Sequence, residues 1–183
     1  FAFGLIVTAV IYRDAPNGET VTVAGGSNGS KVGKEIIKAP AAGALVPLED
    51  VPDEAFAAGV LGKGIAINPS EGRVVAPADC TVMTLFPTGH AIGLITDKGT
   101  ELLIHIGMDT VKLEGRYFEA KVKQGDHVSA GQTLIEFDAE KIQAAGYNII
   151  TPVIVTNHAE YMDVVMTTGK AVKEEENQIT VIA

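Results

Sequence analysis

Apolar positions along this chain come in short runs separated by turn-forming residues. The densest pair of runs is 90–96 (HAIGLIT) and 101–107 (ELLIHIG), which flank Asp97, Lys98, Gly99 and Thr100. Two apolar runs around a Gly-containing turn predict a β-hairpin. A two-residue loop at Lys98 and Gly99 pairs Asp97 with Thr100, and a four-residue loop keeps the same register. His90 then lies opposite Gly107, and His105 lies opposite Ile92. Side chains alternate with period two, so this register puts His90 and His105 on one face with Ile92, Leu94 and Leu103. Ile95, Leu102, Ile104 and Ile106 take the other face. Diagonal neighbours sit about 7–8 Å apart, close enough to share a phosphate or a metal ion. A three-residue loop would send the two histidines to opposite faces and end this argument.

The same texture continues on both sides. Short apolar runs at 36–37, 44–46, 65–67, 73–76, 80–86, 117–122, 132–137, 149–155 and 178–182 read as strands, with Pro40, Gly43, Pro47, Pro52, Gly62, Gly64 and Pro69 among the breaks. Closely spaced strands of this kind predict an all-β fold, an antiparallel β-sandwich or barrel-like domain with one or two short helices. One helical turn is expected within 53–61, where Asp53 is placed to start it. The better helix is 138–145 (DAEKIQAA), with Asp138 as N-cap, Glu140 in the first turn and Gly146 just past the end. Lys173 to Glu176 is a solvated, charged turn.

The N-terminal part differs. Residues 1–12 (FAFGLIVTAVIY) are apolar throughout, too short for the roughly 20 residues that cross a bilayer. They read either as a buried strand or as the end of a transmembrane helix; Arg13 follows at once, as the positive-inside tendency favours. Residues 13–34 are rich in Gly, Ser, Asn and Thr and read as a linker. The folded domain is expected over 35–183, with the linker and the apolar end before it.

Composition narrows the function. A net charge of −9 argues against a nucleic-acid binder, which needs a basic face, and against docking on anionic lipid by charge alone. Hydrophobic residues at 46% supply a core. One cysteine, Cys80, rules out an internal disulfide framework.

The chemistry then rests on the histidine pair. A neutral imidazole accepts a phosphoryl group on one nitrogen when a hydrogen bond fixes the other. The second imidazole, or backbone N–H groups near Gly107, can stabilise phosphoryl charge. The plain alternative is two core histidines with satisfied hydrogen bonds. His127, in a polar turn, and His158, after a strand, read as solvated. Cys80 reads as a small buried residue, and Lys98 as an exposed hairpin-tip lysine. Phe56 and Phe86 suit either the core or a docking patch.

These residues also carry a resemblance. Residues 39–72 (APAAGALVPLEDVPDEAFAAGVLGKGIAINPSEG), 74–79 (VVAPAD), 85–94 (LFPTGHAIGL), 101–111 (ELLIHIGMDTV) and 128–138 (VSAGQTLIEFD) resemble the IIA domain of the glucose class of the bacterial phosphoenolpyruvate:sugar phosphotransferase system. The most specific part is LLIHIGMDTV with a histidine fifteen residues before His105. The resemblance implies an antiparallel β-sandwich and a phosphoryl-transfer role without cofactor or metal. It implies that His105 is phosphorylated, and that His90, with Thr88 just before it and Gly107 beyond, supports transfer. The donor would be phospho-HPr and the acceptor a cysteine on a IIB domain. Phe56, Val60, Leu61, Phe86 and Leu103 match the family's apolar docking rim. Cys80 departs from the family, which usually has Gly there.

An apolar end, a linker and then IIA resembles the IIB–IIC–IIA order of β-glucoside-type permeases. That implies a parent protein in the membrane, with IIA at its cytoplasmic face and sugar bound only through IIC. Two rival readings stand beside it. A zinc hydrolase of related β-fold would use His90 and His105, but lacks the ligand expected where Leu103 stands. A lipoyl- or biotinyl-type carrier would be modified on Lys98. The phosphoryl reading requires that the two rings converge and that a partner can reach them.

Overall fold

The computed structural model describes residues 33–183. The expected membrane end, 1–12, and nearly all of the expected linker, 13–34, lie outside the described residues. The first strand already begins at Lys34, the last residue given to the linker.

Fourteen strands are described. They are β1 (Lys34–Lys38), β2 (Gly43–Val46), β3 (Lys63–Pro69), β4 (Arg73–Val75), β5 (Cys80–Leu85), β6 (Ala91–Thr96), β7 (Glu101–His105), β8 (Phe118–Ala120), β9 (His127–Val128), β10 (Thr133–Phe137), β11 (Thr151–Val155), β12 (Asp163–Met166), β13 (Ala171–Val172) and β14 (Asn177–Ile182). The main sheet runs β13-β2-β3-β11-β7-β6-β5-β9, with two three-stranded sheets, β1-β14-β12 and β4-β10-β8. The pairings within them are antiparallel. The expected all-β architecture is therefore the observed one. β9, β12 and β13 were not expected; they are only two to four residues long, too short to show an alternating pattern.

Two apolar clusters organise the packing. The larger lies between the sheets and includes Ile92, Leu94, Leu102, Ile104, Ile106, Leu134 and Val153. The smaller covers the outer side of the main sheet with Leu48, Val51, Phe56, Leu61, Ala66, Leu103, Met108 and Ile154. β11 and β7 are apolar on both sides because they divide these clusters, as strands buried on both faces must be.

Both expected helices form. Asp53 caps α1 (Glu54–Ala57), its side chain accepting from the N–H groups of Ala55 at 2.8 Å and Phe56 at 3.3 Å. This one turn exists to bury Phe56, worth about 1.5–3 kcal/mol for a side chain of that size. Asp138 caps α2 (Ala139–Ala144), accepting from the Lys141 N–H at 3.0 Å. Lys141 Nζ adds a contact at 2.6 Å, and together these hold the Asp138 carboxyl below its usual range. Gly146, at φ +90°, ends the helix as expected.

The hairpin turn departs from expectation. The Thr96 N–H donates to the Thr100 carbonyl at 2.9 Å, which leaves Asp97, Lys98 and Gly99 as a three-residue loop. Gly99, at φ +88°, takes the left-handed position such loops need. The Thr96 hydroxyl accepts from the Thr100 N–H at 3.0 Å and locks the closure. The register is one residue from the expected one, with Ala91 opposite His105 and Ile92 opposite Ile104. Ile92 and Leu94 consequently face the inner cluster with Leu102 and Ile104, while Leu103 faces outward.

Candidate phosphoryl-transfer site

By strict alternation, the observed register separates His90 from His105. Their rings nevertheless meet, with centroids 5.0 Å apart and planes at 80°. The reason is position. His105 is the last residue of β7, and His90 lies just before β6 begins. The two-face rule governs a ladder's interior; at its end the adjoining turns aim the side chains.

Each turn is well determined. His90 follows a turn in which Gly89, at φ +68°, donates its N–H to the Phe86 carbonyl at 2.8 Å. The Thr88 hydroxyl lies 2.5 Å from His90 Nδ1 and fixes that ring. The His90 carbonyl accepts from the Ile106 N–H at 2.7 Å, tying the two chain segments together. His105 is held by its own continuation: its Nδ1 lies 2.8 Å from the Gly107 carbonyl. A carbonyl only accepts, so in the neutral ring Nδ1 carries the proton and Nε2 carries the lone pair.

Gly107 is required for this geometry. Its φ is +75°, and a Cβ there would lie 2.5 Å from the Asn148 carbonyl oxygen and 2.6 Å from Thr110 Cγ2. The Thr110 hydroxyl donates to the Ile106 carbonyl at 2.6 Å, and the Met108 N–H to the Asn148 carbonyl at 2.9 Å. Thr110 and Asn148 thus steady the turn that presents the Gly107 carbonyl. Sequence reasoning missed both, because their contacts depend on a left-handed bend at Gly107 and Asp109 that no periodicity signals.

Aromatic rings enclose the pair. Phe56 stands 5.4 Å from the His105 ring, and Phe86 stands 5.4 Å from the His90 ring. His90 is 2% exposed and His105 is 5% exposed, so access is a small opening. Of the expected docking residues, Phe56, Leu61 and Leu103 are buried, Phe86 is half-buried, and Val60 is exposed at 53%. Phe56 and Leu103 share one apolar cluster, Phe56 and Phe86 stand against the imidazoles, and Phe86 is the more accessible of the two rings.

The other candidates lie elsewhere. His127 Nε2 is 2.9 Å from Asp97 Oδ1, a hydrogen bond between two solvated side chains on the exposed surface. His158 opens a short 3-10 turn (His158–Glu160) after β11. Lys98 is exposed at the hairpin tip, the end away from the histidines. Cys80 is fully buried in β5, between Thr96 and Val128, so the chain runs as strand where the family's glycine suggested a turn. Burial, with Asp97 and Asp79 nearby, pushes its thiol up to about 12, which makes it a packing residue and not a nucleophile. Among the described residues no group of three or more His, Cys, Asp or Glu side chains is placed to hold a metal, so the ligand set of the zinc-hydrolase reading does not assemble. Among them, too, no helix is long and apolar enough to cross a membrane.

Comparison with known proteins agrees with this geometry. Residues 35–161 match the model of the phosphoenolpyruvate-dependent sugar phosphotransferase system EIIA 1 family. The chain is 56% identical over 128 residues to the PTS system beta-glucoside-specific EIIBCA component of Bacillus subtilis (strain 168), covering 70% of this chain and 21% of that protein. It thus spans about a fifth of that relative's length. It is 44% identical over 151 residues to the PTS system glucose-specific EIIA component of Bacillus cereus, covering 82% of this chain and 92% of that one. The solved structure of the glucose permease IIA from Mycoplasma capricolum superposes with a TM-score of 0.73 at 35% identity, covering 80% of this chain and 95% of that one. With the sandwich, the paired imidazoles and these matches in agreement, the chain belongs to the EIIA type 1 family of the sugar phosphotransferase system.

Proposed function

We propose that His105 accepts a phosphoryl group from phosphohistidine on HPr and passes it to a cysteine on a IIB domain. The observation that carries this reading is the Nδ1 contact of His105 with the Gly107 carbonyl, in a ring whose centroid lies 5.0 Å from that of His90. It directs the lone pair of the neutral ring to Nε2, the nitrogen expected to attack phosphorus. The new N–P bond forms on His105 as the donor's N–P bond breaks. In the second step a IIB thiolate attacks, an S–P bond forms, and the His105 N–P bond breaks. Thr88 donates its hydroxyl proton to Nδ1 of His90, which makes Nε2–H of His90 a donor toward the phosphoryl oxygens in both steps. The apolar surroundings of Phe56 and Phe86 keep water from the phosphohistidine.

The relatives' EIIBCA names and the apolar stretch at 1–12 support a wider reading. In it, 35–183 is the IIA domain of a membrane permease, 13–34 is its linker, and the parent imports a β-glucoside or related disaccharide. The domain then works at the cytoplasmic face of the membrane, with IIB as acceptor.

The test is radiolabelled phosphoenolpyruvate with enzyme I and HPr. The chain takes up acid-labile, base-stable phosphate, and His105→Ala takes up none. His90→Ala still becomes labelled but passes phosphate to IIB roughly 10²-fold more slowly, the usual cost of losing one charge-stabilising donor. Labelling that survives His105→Ala overturns the assignment.

A further inference from the structure

Gly107 has no side chain to fix the direction of its carbonyl, yet that carbonyl holds His105 Nδ1 at 2.8 Å. The fixing comes from the peptide groups on either side. The peptide before Gly107 is held at its carbonyl, where Ile106 accepts from the Thr110 hydroxyl at 2.6 Å. The peptide after it is held at its N–H, which Met108 donates to the Asn148 carbonyl at 2.9 Å. This second peptide also carries the Gly107 carbonyl, so it joins Asn148 to His105 in one chain of hydrogen bonds. Such chains polarise their members, and a peptide that donates at its N–H accepts better at its oxygen.

Thr110 sits where only a strained backbone could put it. It opens the short turn Thr110–Leu113, which is bounded by left-handed residues at both ends, Asp109 at φ 59° and Glu114 at φ 54°. Non-glycine residues persist in that region only where their surroundings hold them, and they gather at functional sites. The bend at Asp109 turns Thr110 back onto Ile106. Thr110 is fully buried, so bulk water does not compete for its hydroxyl. Its Cγ2 fills the space beside Gly107, 2.6 Å from where a Cβ would stand. On the other side, Asn148 Oδ1 accepts from the Ile150 N–H at 2.7 Å, a side-chain turn that steadies the Asn148 backbone.

The same segment reaches the second histidine. The Ile106 N–H donates to the His90 carbonyl at 2.7 Å, so Ile106 is tied to His90 at one end and to Thr110 at the other. At the far end of the turn, a Cβ added to Gly115 would lie 3.6 Å from Thr88 Cα. Thr88 is the residue whose hydroxyl stands against His90 Nδ1. Residues 106–115 therefore brace both rings.

We propose that Thr110, together with Asn148, is a positioning residue that selects the Nδ1–H tautomer of His105 by holding the two peptides around Gly107. This rests on the phosphoryl role proposed above. The other neutral tautomer sets a lone pair on Nδ1 against the carbonyl oxygen and a hydrogen on Nε2, so its Nε2 has no lone pair with which to attack phosphorus. Freeing Gly107 to rotate removes the bias and lowers the fraction of molecules ready to react.

The test is NMR of the histidine ring nitrogens in the full chain at alkaline pH, beside single-turnover uptake of phosphate from phospho-HPr. The parent shows one tautomer at His105. Thr110→Val, which exchanges the hydroxyl for a methyl at nearly constant volume, shows a mixture of two. It takes up phosphate about tenfold more slowly, the equivalent of one hydrogen bond. Thr110→Ser keeps the hydroxyl and matches the parent in both measurements. Thr100→Val, at the tip of the hairpin, controls for lost stability: it keeps one tautomer and the parent's uptake per folded molecule. Asn148→Ala changes an exposed side chain and shifts the tautomer ratio in the same direction as Thr110→Val. A single His105 tautomer in folded Thr110→Val, or in Asn148→Ala where Thr110→Val does not fold, overturns the proposal. So do equal uptake rates for the Val and Ser variants, or a tautomer mixture in the parent or in Thr100→Val. A parent chain that takes up no phosphate at His105 defeats the phosphoryl role instead, since the ring-nitrogen spectra are read without phosphate.

Discussion

Thr88 shows how much of the site turns on a single hydroxyl. It stands 2.5 Å from His90 Nδ1, two residues away in a half-buried turn. Without that contact the His90 ring keeps its place against Phe86 but loses the preference for one tautomer. Thr88→Val removes the hydroxyl at nearly constant volume. Transfer from phospho-His105 to IIB then slows about tenfold, the equivalent of one hydrogen bond of about 1.4 kcal/mol, while Thr88→Ser stays near the parent rate. Rapid-quench measurement of the single transfer step reads both. Equal rates for the Val and Ser variants remove Thr88 from the mechanism. His90 and His105 stood out by residue type and by the family resemblance. The register argument that joined them failed, since the three-residue loop separates them by alternation and only the strand ends bring the rings together. Thr88 came into view through the resemblance alone. The tautomer of His105 was not legible, because it depends on the Gly107 carbonyl, and that carbonyl is aimed by contacts from Thr110 and Asn148.

At the level of elements, the hairpin teaches most. Its two strands were evident from their apolar runs, and its turn from Gly99. Its loop length was not evident, because Asp97, Lys98, Gly99 and Thr100 suit two-, three- and four-residue closures alike. What selects three is a pair of Thr96–Thr100 hydrogen bonds plus a left-handed Gly99. The tip is then fastened to the rest of the fold. Thr100 Oγ1 donates to Glu35 on β1, and Asn157 accepts from the Glu101 N–H at 2.9 Å and donates to the Gly99 carbonyl at 3.0 Å. Thr100 is fully buried and Glu35 nearly so, so a lost partner is not replaced by bulk water. Thr100→Val accordingly destabilises the domain by about 1–3 kcal/mol, the usual cost of stranding a buried polar group. Urea titration followed by circular dichroism measures it. Because the tip is roughly 17 Å from His105, phosphate uptake per folded molecule stays at the parent level. A fall in uptake without a fall in stability contradicts this division between fastening end and reacting end.

Across the whole molecule, strand after strand of short apolar runs made the antiparallel architecture readable, whereas the pairing partners were not. β1 is the clearest instance. It reads locally as two isoleucines between charged residues, yet it pairs with β14, the last strand described, through Lys34↔Ile182, Ile36↔Thr180 and Ile37↔Ile179. No local pattern signals a partner so distant in the sequence. That pairing closes one side of the sandwich: it buries Ile37 completely, gives Glu35 its place beside Thr100, and joins Gly33 to Ala183. The start of the cooperative unit should therefore be sharp. A chain beginning at Gly33 keeps every strand described and unfolds at the same urea midpoint as the full chain, with unchanged phosphate uptake at His105. A chain beginning at Gly43 lacks β1, exposes the β14 edge and the inner cluster beside it, and removes a fully buried isoleucine whose loss alone costs about 2–5 kcal/mol. Since a domain's whole stability is about 5–15 kcal/mol, the shorter fragment has little or none left. It should show a lowered or absent cooperative transition and bind hydrophobic dye. If the Gly43 fragment instead melts like the longer chain, β1 is an appendage, and the domain boundary moves past it.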